Sequence, residues 1–156
     1  MMEKHLQDLL KDSPHLLKNF HYDDVYAFLT MGEQLLYKKG DLIIQDDEIV
    51  NSAYLIAEGK VSVWKENIRI NTLDKKNFLG ETFLYSKNNR IAKIICEEDC
   101  ILLKYDRFTT LNYFRKRPEK LFNIFTKNII EIQQEKISNM NFQFFALKKR
   151  ILDDKK

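Results

Sequence analysis

Leu73-Asp74-Lys75-Lys76-Asn77-Phe78-Leu79-Gly80-Glu81-Thr82-Phe83-Leu84, with Arg90-Ile91-Ala92 a short polar-ended stretch further on, decides how this chain reads. Gly80 lets backbone approach a ligand with no side chain between them. Glu81 beside it can accept hydrogen bonds from sugar hydroxyls, and Arg90 can grip a phosphate through its planar fork. One short connection would then hold a hydroxyl acceptor and a phosphate donor facing the same small space. Such a site binds a ligand; it contains no catalytic group.

Two stretches upstream sharpen the reading: Lys39-Gly40-Asp41-Leu42-Ile43-Ile44 and Tyr54-Leu55-Ile56-Ala57-Glu58-Gly59-Lys60-Val61-Ser62-Val63. In order and spacing, the three together resemble the cyclic nucleotide-binding domain of catabolite-activator and FNR-like regulators, over residues 16 to 140. The resemblance implies an α+β fold, an antiparallel β-roll of jelly-roll type flanked by N-terminal helices and a long C-terminal helix. It implies cAMP or cGMP as the ligand, held by Gly80, Glu81, Thr82, Arg90, Ile91 and Ala92. Arg90 would pair with the phosphate, backbone N–H groups near Ile91 and Ala92 would donate to it, and Glu81 would accept from the ribose 2′-hydroxyl. Base contacts would come from the long helix. Alignment on Glu135-Lys136-Ile137 makes them Gln133 and Gln134, whereas alignment on Pro118 makes them Glu135 and Lys136. The chain departs from the family pattern at Asp47 and Lys76, where turn glycines are usual, and at Ile91, where a small residue is common.

Composition agrees with a small regulator. The 156 residues suit one domain, and 44% hydrophobic content with 11 Phe and 7 Tyr argues against disorder. No stretch approaches the roughly 18 apolar residues of a membrane helix, and the N-terminus lacks an apolar signal core, so a cytoplasmic protein is expected. A net charge of +3 does not announce nucleic-acid binding. Cys96 and Cys100, separated by Glu97-Glu98-Asp99, read as buried strand residues and make a poor metal site. The N-terminal cysteine cluster of FNR-like iron–sulfur sensors is missing. His5, His15 and His21 lie in the N-terminal helical region, and no Ser-His-Asp set or metal-binding His pair is legible, so no enzyme, metal or cofactor is expected.

Spacing divides the chain into a domain over residues 1–140 and a linker-like tail over 141–156. Leu6, Leu9, Leu10 and Leu16, Leu17, Phe20 predict helices within 3–36, with Ser13 placed to cap before Pro14. Short β-branched runs divided by Gly, Asn and Asp predict the β-roll over 37–105, and a long helix over 108–140 follows. Phe83 and Tyr85 read as core or lid residues, with stacking on a purine as the other use.

In the long helix, Phe122, Phe125, Ile129 and Ile132 follow one stripe, while Ile130 and Ile137 lie seven apart on another. A helix apolar on more than one face needs more than its own domain to cover it. Packing on the β-roll is one reading; a two-helix homodimer seam, as the family resemblance implies, is the other. Beyond Met140 the remaining residues are too few for a linker and a helix-turn-helix, and the Lys148-Lys149-Arg150 cluster reads as a solvated helix end. The expectation is therefore a non-catalytic cyclic nucleotide sensor, dimeric, with no membrane or direct nucleic-acid contact. Its rivals are a dimerisation module with a degenerate pocket, and the effector part of a transcription regulator that lacks its DNA-binding part.

Overall fold

The computed structural model describes residues 3–45, 51–85 and 92–156. Two helices, α1 (Lys4–Lys11) and α2 (Tyr22–Met31), flank a 3₁₀ turn at His15–Leu17. Among the described residues eight strands follow: β1 (Glu33–Tyr37), β2 (Leu42–Ile44), β3 (Ser52–Glu58), β4 (Lys60–Lys65), β5 (Ile68–Asp74), β6 (Phe78–Leu79), β7 (Lys93–Cys96) and β8 (Cys100–Asp106). Helices α3 (Arg107–Arg115) and α4 (Glu119–Asp154) complete the chain. All strand pairs are antiparallel, in two four-stranded sheets ordered β1-β8-β3-β6 and β2-β7-β4-β5. The expected β-roll flanked by helices is the fold observed. Among the described residues no helix is long and apolar enough to cross a membrane.

Strand β3 shows why the sheets take this arrangement. Alternate side chains of a strand point to opposite faces, and both faces of β3 are apolar. Ala53, Leu55 and Ala57 join a core shared with the helices, beside Phe28, Leu103, Tyr105, Phe114 and Phe125. Tyr54 and Ile56 join a second core between the sheets, beside Ile44, Val61, Ile94, Cys96 and Leu102. Cys96 and Cys100 are free, buried thiols on strands, as the sequence suggested.

Several boundaries differ from the sequence reading. Helix is not continuous to residue 36: α2 stops at Met31, and Glu33–Tyr37 pairs with β8, setting Glu33 opposite Lys104. Gly32 marks the change, because a Cβ there would stand 2.8 Å from the Tyr105 ring. The β-roll accordingly runs from Glu33 to Asp106. The helix expected over 108–140 is two helices, parted at Lys116–Pro118 because proline disfavours helical backbone in the residue before it. The tail over 141–156 is no linker but the continuation of α4 through Asp154, a stretch with no Gly or Pro to stop it. Ser13 caps nothing; Pro14 precedes the 3₁₀ turn without a side-chain cap. Lys76, where the resemblance implies a turn glycine, has left-handed backbone with φ 81°, whereas Asp47 lies outside the described residues.

The first half of α4 is bound to the domain from below. Leu121, Phe125 and Ile129 enter the helical core. Asn128, 1% exposed, donates from its side-chain amide to the Leu16 carbonyl at 2.9 Å and the Lys18 carbonyl at 2.8 Å. His15 Nε2 lies 3.1 Å from Glu131 Oε2, and that hydrogen bond holds the Glu131 carboxyl below its ordinary range. Asn128→Ala would leave two carbonyls without these donors and should destabilise the fold by about 1–3 kcal/mol, read as a lower urea midpoint with unchanged slope.

Burial also sets the alkaline limit of stability. It pushes the Cys96 and Tyr113 groups each up to about 12 and raises Cys100, Tyr37 and Tyr105. Each of these protons is held more tightly in the folded chain than in the unfolded one. Their contribution is complete below the unfolded values, roughly 8.5 for thiols and 10 for phenols, and is lost as pH climbs toward the folded values. The urea midpoint should fall steadily between pH 8 and pH 11.

Candidate functional site

The candidate site begins where β6 ends. Its two residues enter different cores, Phe78 the helical one and Leu79 the one between the sheets, while their backbones pair with Leu55 and Tyr54 of β3. Gly80 follows with φ 76°, a left-handed conformation that suits glycine. Overlapping turns then close, Phe83 N–H donating to the Gly80 carbonyl at 3.1 Å and Tyr85 N–H to the Thr82 carbonyl at 2.9 Å. Phe83 is buried in the helical core, and Arg107 at the start of α3 donates from Nε to the Phe83 carbonyl at 2.7 Å.

This turn aims Glu81 at α4. The residue is 3% exposed, and its Oε1 accepts hydrogen bonds from Gln133 Nε2 and Lys136 Nζ. A buried carboxylate is costly without such partners. A second tie lies about two turns earlier on the helix, where the Tyr85 hydroxyl meets Thr126 Oγ1 at 2.8 Å and the Tyr85 ring rests 6.3 Å from that of Phe122. The turn and the helix face each other across a cavity of about 240 Å³. Its walls are His15 and Leu16 from the 3₁₀ turn, Asn71 and Leu73 from β5, Lys76, Asn77 and Phe78, Glu81 itself, and Ile132, Glu135, Lys136 and Asn139 of α4. Amide, cationic and acidic groups on an apolar floor suit a small polar ligand recognised by hydrogen bonds.

The expected site residues fall into three groups. Gly80, Glu81 and Thr82 share the turn, with Thr82 half-buried, and Ala92 is half-buried just before β7. Arg90 and Ile91 lie outside the described residues. On α4, Gln133 reaches Glu81 while Gln134 is exposed; Glu135 and Lys136 line the cavity. Both alignments of the helix therefore bring one or more of their residues to the site. Sequence reasoning missed Arg107, Thr126 and Asn128, which hold the turn and helix in place, because their contacts are long-range and no local spacing announces them. Phe83 is a core residue, and Tyr85 binds α4. Among the described residues no cluster of three or more His, Cys, Asp or Glu could hold a metal ion.

Comparison with known proteins bears on the same region. The sequence model of the cyclic nucleotide-binding domain family matches residues 34–117, more than half of the chain. Human cGMP-dependent protein kinase 2 is 36% identical over 104 residues, which is 62% of this chain and 14% of the kinase. Isozyme 2 (forms cD5/T2) of the Drosophila melanogaster cGMP-dependent protein kinase is 29% identical over 114 residues, 67% of this chain and 12% of that protein. The chain thus spans about one seventh of the length of these curated relatives. Among solved structures, the catabolite activator protein of Thermus thermophilus superposes with a TM-score of 0.73 at 20% identity, covering 86% of this chain and 63% of that one. The sensor domain of the transcriptional regulator DNR from Pseudomonas aeruginosa gives a TM-score of 0.66 at 14% identity, covering 88% and 95%. At such identities the two structures speak for the fold, and the fold agrees with the sequence match: this chain belongs to the cyclic nucleotide-binding domain family.

Proposed function

We propose that the protein is a non-catalytic regulatory sensor that binds cAMP or cGMP between the Gly80–Tyr85 turn and α4, and relays occupancy through α4 as a homodimer. The observation that carries this reading is Glu81, a buried carboxylate on a left-handed glycine turn, facing a polar cavity roofed by the long helix. In this reading Glu81 accepts from the ribose hydroxyl, Gly80 permits close approach, and Thr82 borders the sugar. Arg90 pairs with the cyclic phosphate, with backbone N–H groups near Ile91 and Ala92 beside it. In this reading Gln133 and Glu135 border the base, and Gln134 faces away. No acid–base pair or activated nucleophile enters the scheme.

The relay follows from the same geometry. Ligand that favours one position of α4 over another shifts the helix by its difference in affinity for the two. The exposed length of the helix supports a paired partner. Ile130, Ile137, Phe144 and Ile151 recur every seven residues, with Met140 and Leu147 three residues after Ile137 and Phe144. All six are 48% to 66% exposed in the single chain. That is the a/d pattern of a two-stranded coiled coil. A cytoplasmic setting, with no membrane or direct nucleic-acid contact from this stretch, completes the reading. A dimerisation module that holds no nucleotide is the second reading, favoured by Gln133 and Lys136 already occupying Glu81.

Calorimetry with cAMP and with cGMP separates the two. Charge-assisted hydrogen bonds contribute roughly 1.5–3 kcal/mol, so Arg90→Leu should weaken nucleotide binding by ~10-fold to over 100-fold. Equal heats from parent and variant would reject the site. In sedimentation equilibrium the parent should run as a dimer, and Ile137→Glu combined with Phe144→Glu as a monomer. A monomeric parent would remove the paired helix from the account.

A further inference from the structure

The ion pair at Glu81 has a property that the binding scheme does not use. The Glu81 side chain is 4% exposed and that of Lys136 48%, so the acid is fixed in the wall while the base reaches it from α4 on a flexible stem. Lys136 also lines the cavity. Two lysines of the β5–β6 connection answer to other acids: Lys75 bonds Asp8 of α1 at 3.0 Å, and Lys76 pairs with Asp12 at the end of that helix. Lys136 instead spends its charge on the residue assigned to the sugar. A hydroxyl donating to Glu81 would make a neutral-donor bond in place of an ammonium–carboxylate bond, which is the stronger of the two. The cavity, at about 240 Å³, is also smaller than the ~300–1,000 Å³ usual for small-molecule sites.

We infer that Lys136 is a tethered cation that competes with the ligand for Glu81 and holds the site closed against α4. This rests on the nucleotide-binding reading and names how that site is regulated. Ligand entry then breaks the Glu81–Lys136 pair and frees the Gln133–Lys136 turn of α4 from the Gly80–Tyr85 turn in one event. Affinity is lowered by the cost of that break, and ligand binding is coupled to the helix through a single side chain. Because the Lys136 side chain is 48% exposed, added salt weakens the pair.

The test uses three proteins: the parent, Lys136→Met, which keeps the stem without the charge, and Lys136→Arg, which keeps the charge. Calorimetry with cAMP and cGMP should show Lys136→Met binding about 3- to 30-fold more tightly than the parent, with Lys136→Arg near the parent. Unchanged or weaker binding by Lys136→Met would overturn the proposal, weaker binding marking Lys136 as a ligand contact instead. Hydrogen exchange on the ligand-free proteins reads the latch without any nucleotide. Amides of residues 81–85 and 129–139 should exchange faster in Lys136→Met than in the parent, and equal rates would overturn the latch. If no protein binds nucleotide while exchange still responds, the latch stands and the sensor reading fails.

Discussion

A carboxylate buried at the seam between a turn and a helix is the constraint on which this structure depends. Burying Glu81 is unfavourable unless donors come with it, and both donors, Gln133 and Lys136, come from α4. The turn therefore cannot hold its shape independently of the helix. The helix in turn is fixed at its base by Asn128, which joins it to the 3₁₀ turn, and by Phe125 in the core. Any molecule that changes what Glu81 bonds also changes what α4 bonds. In the proposed scheme the binding site and the lever would be the same set of contacts.

The two cores place that seam. β6 is only Phe78 and Leu79, yet one side chain enters each core and both backbones join β3. Such a short strand has little freedom to slide, because moving it by one residue would exchange its faces. Gly80 leaves β6 from a fixed point, and Phe83 and Arg107 anchor the other end of the turn. The Glu81 head group is therefore aimed by packing on both sides. Beyond Asn139 the same helix leaves the domain, with Phe142, Phe144 and Phe145 exposed. Rigid anchoring at one end and an unpartnered apolar stripe at the other are what a relay between ligand and partner requires.

Most of the β-roll and the Gly80–Glu81 turn were legible because their signals are local. Short apolar runs divided by Gly, Asn and Asp mark β3, β4, β7 and β8, and a glycine before a carboxylate marks the turn. What was not legible depends on partners distant in sequence. Leu35 and Leu36 continue a helical spacing from α2, and only pairing with β8 makes them strand. Phe78-Leu79 is too short to show any period. The far half of α4 mixes apolar and basic residues in a way that reads as linker until the lack of Gly and Pro is given its weight. At the site, residue types pointed to Glu81, but the choice between two helix alignments needed the geometry, which brings Gln133 and Lys136 to it together.

Backbone amide NMR during titration with cAMP and cGMP tests the central claim most directly. The account predicts saturable shifts centred on Gly80–Tyr85 and on residues 129–139 of α4, moving together along one binding curve. Shifts confined to other surfaces, or none up to millimolar nucleotide, would contradict it.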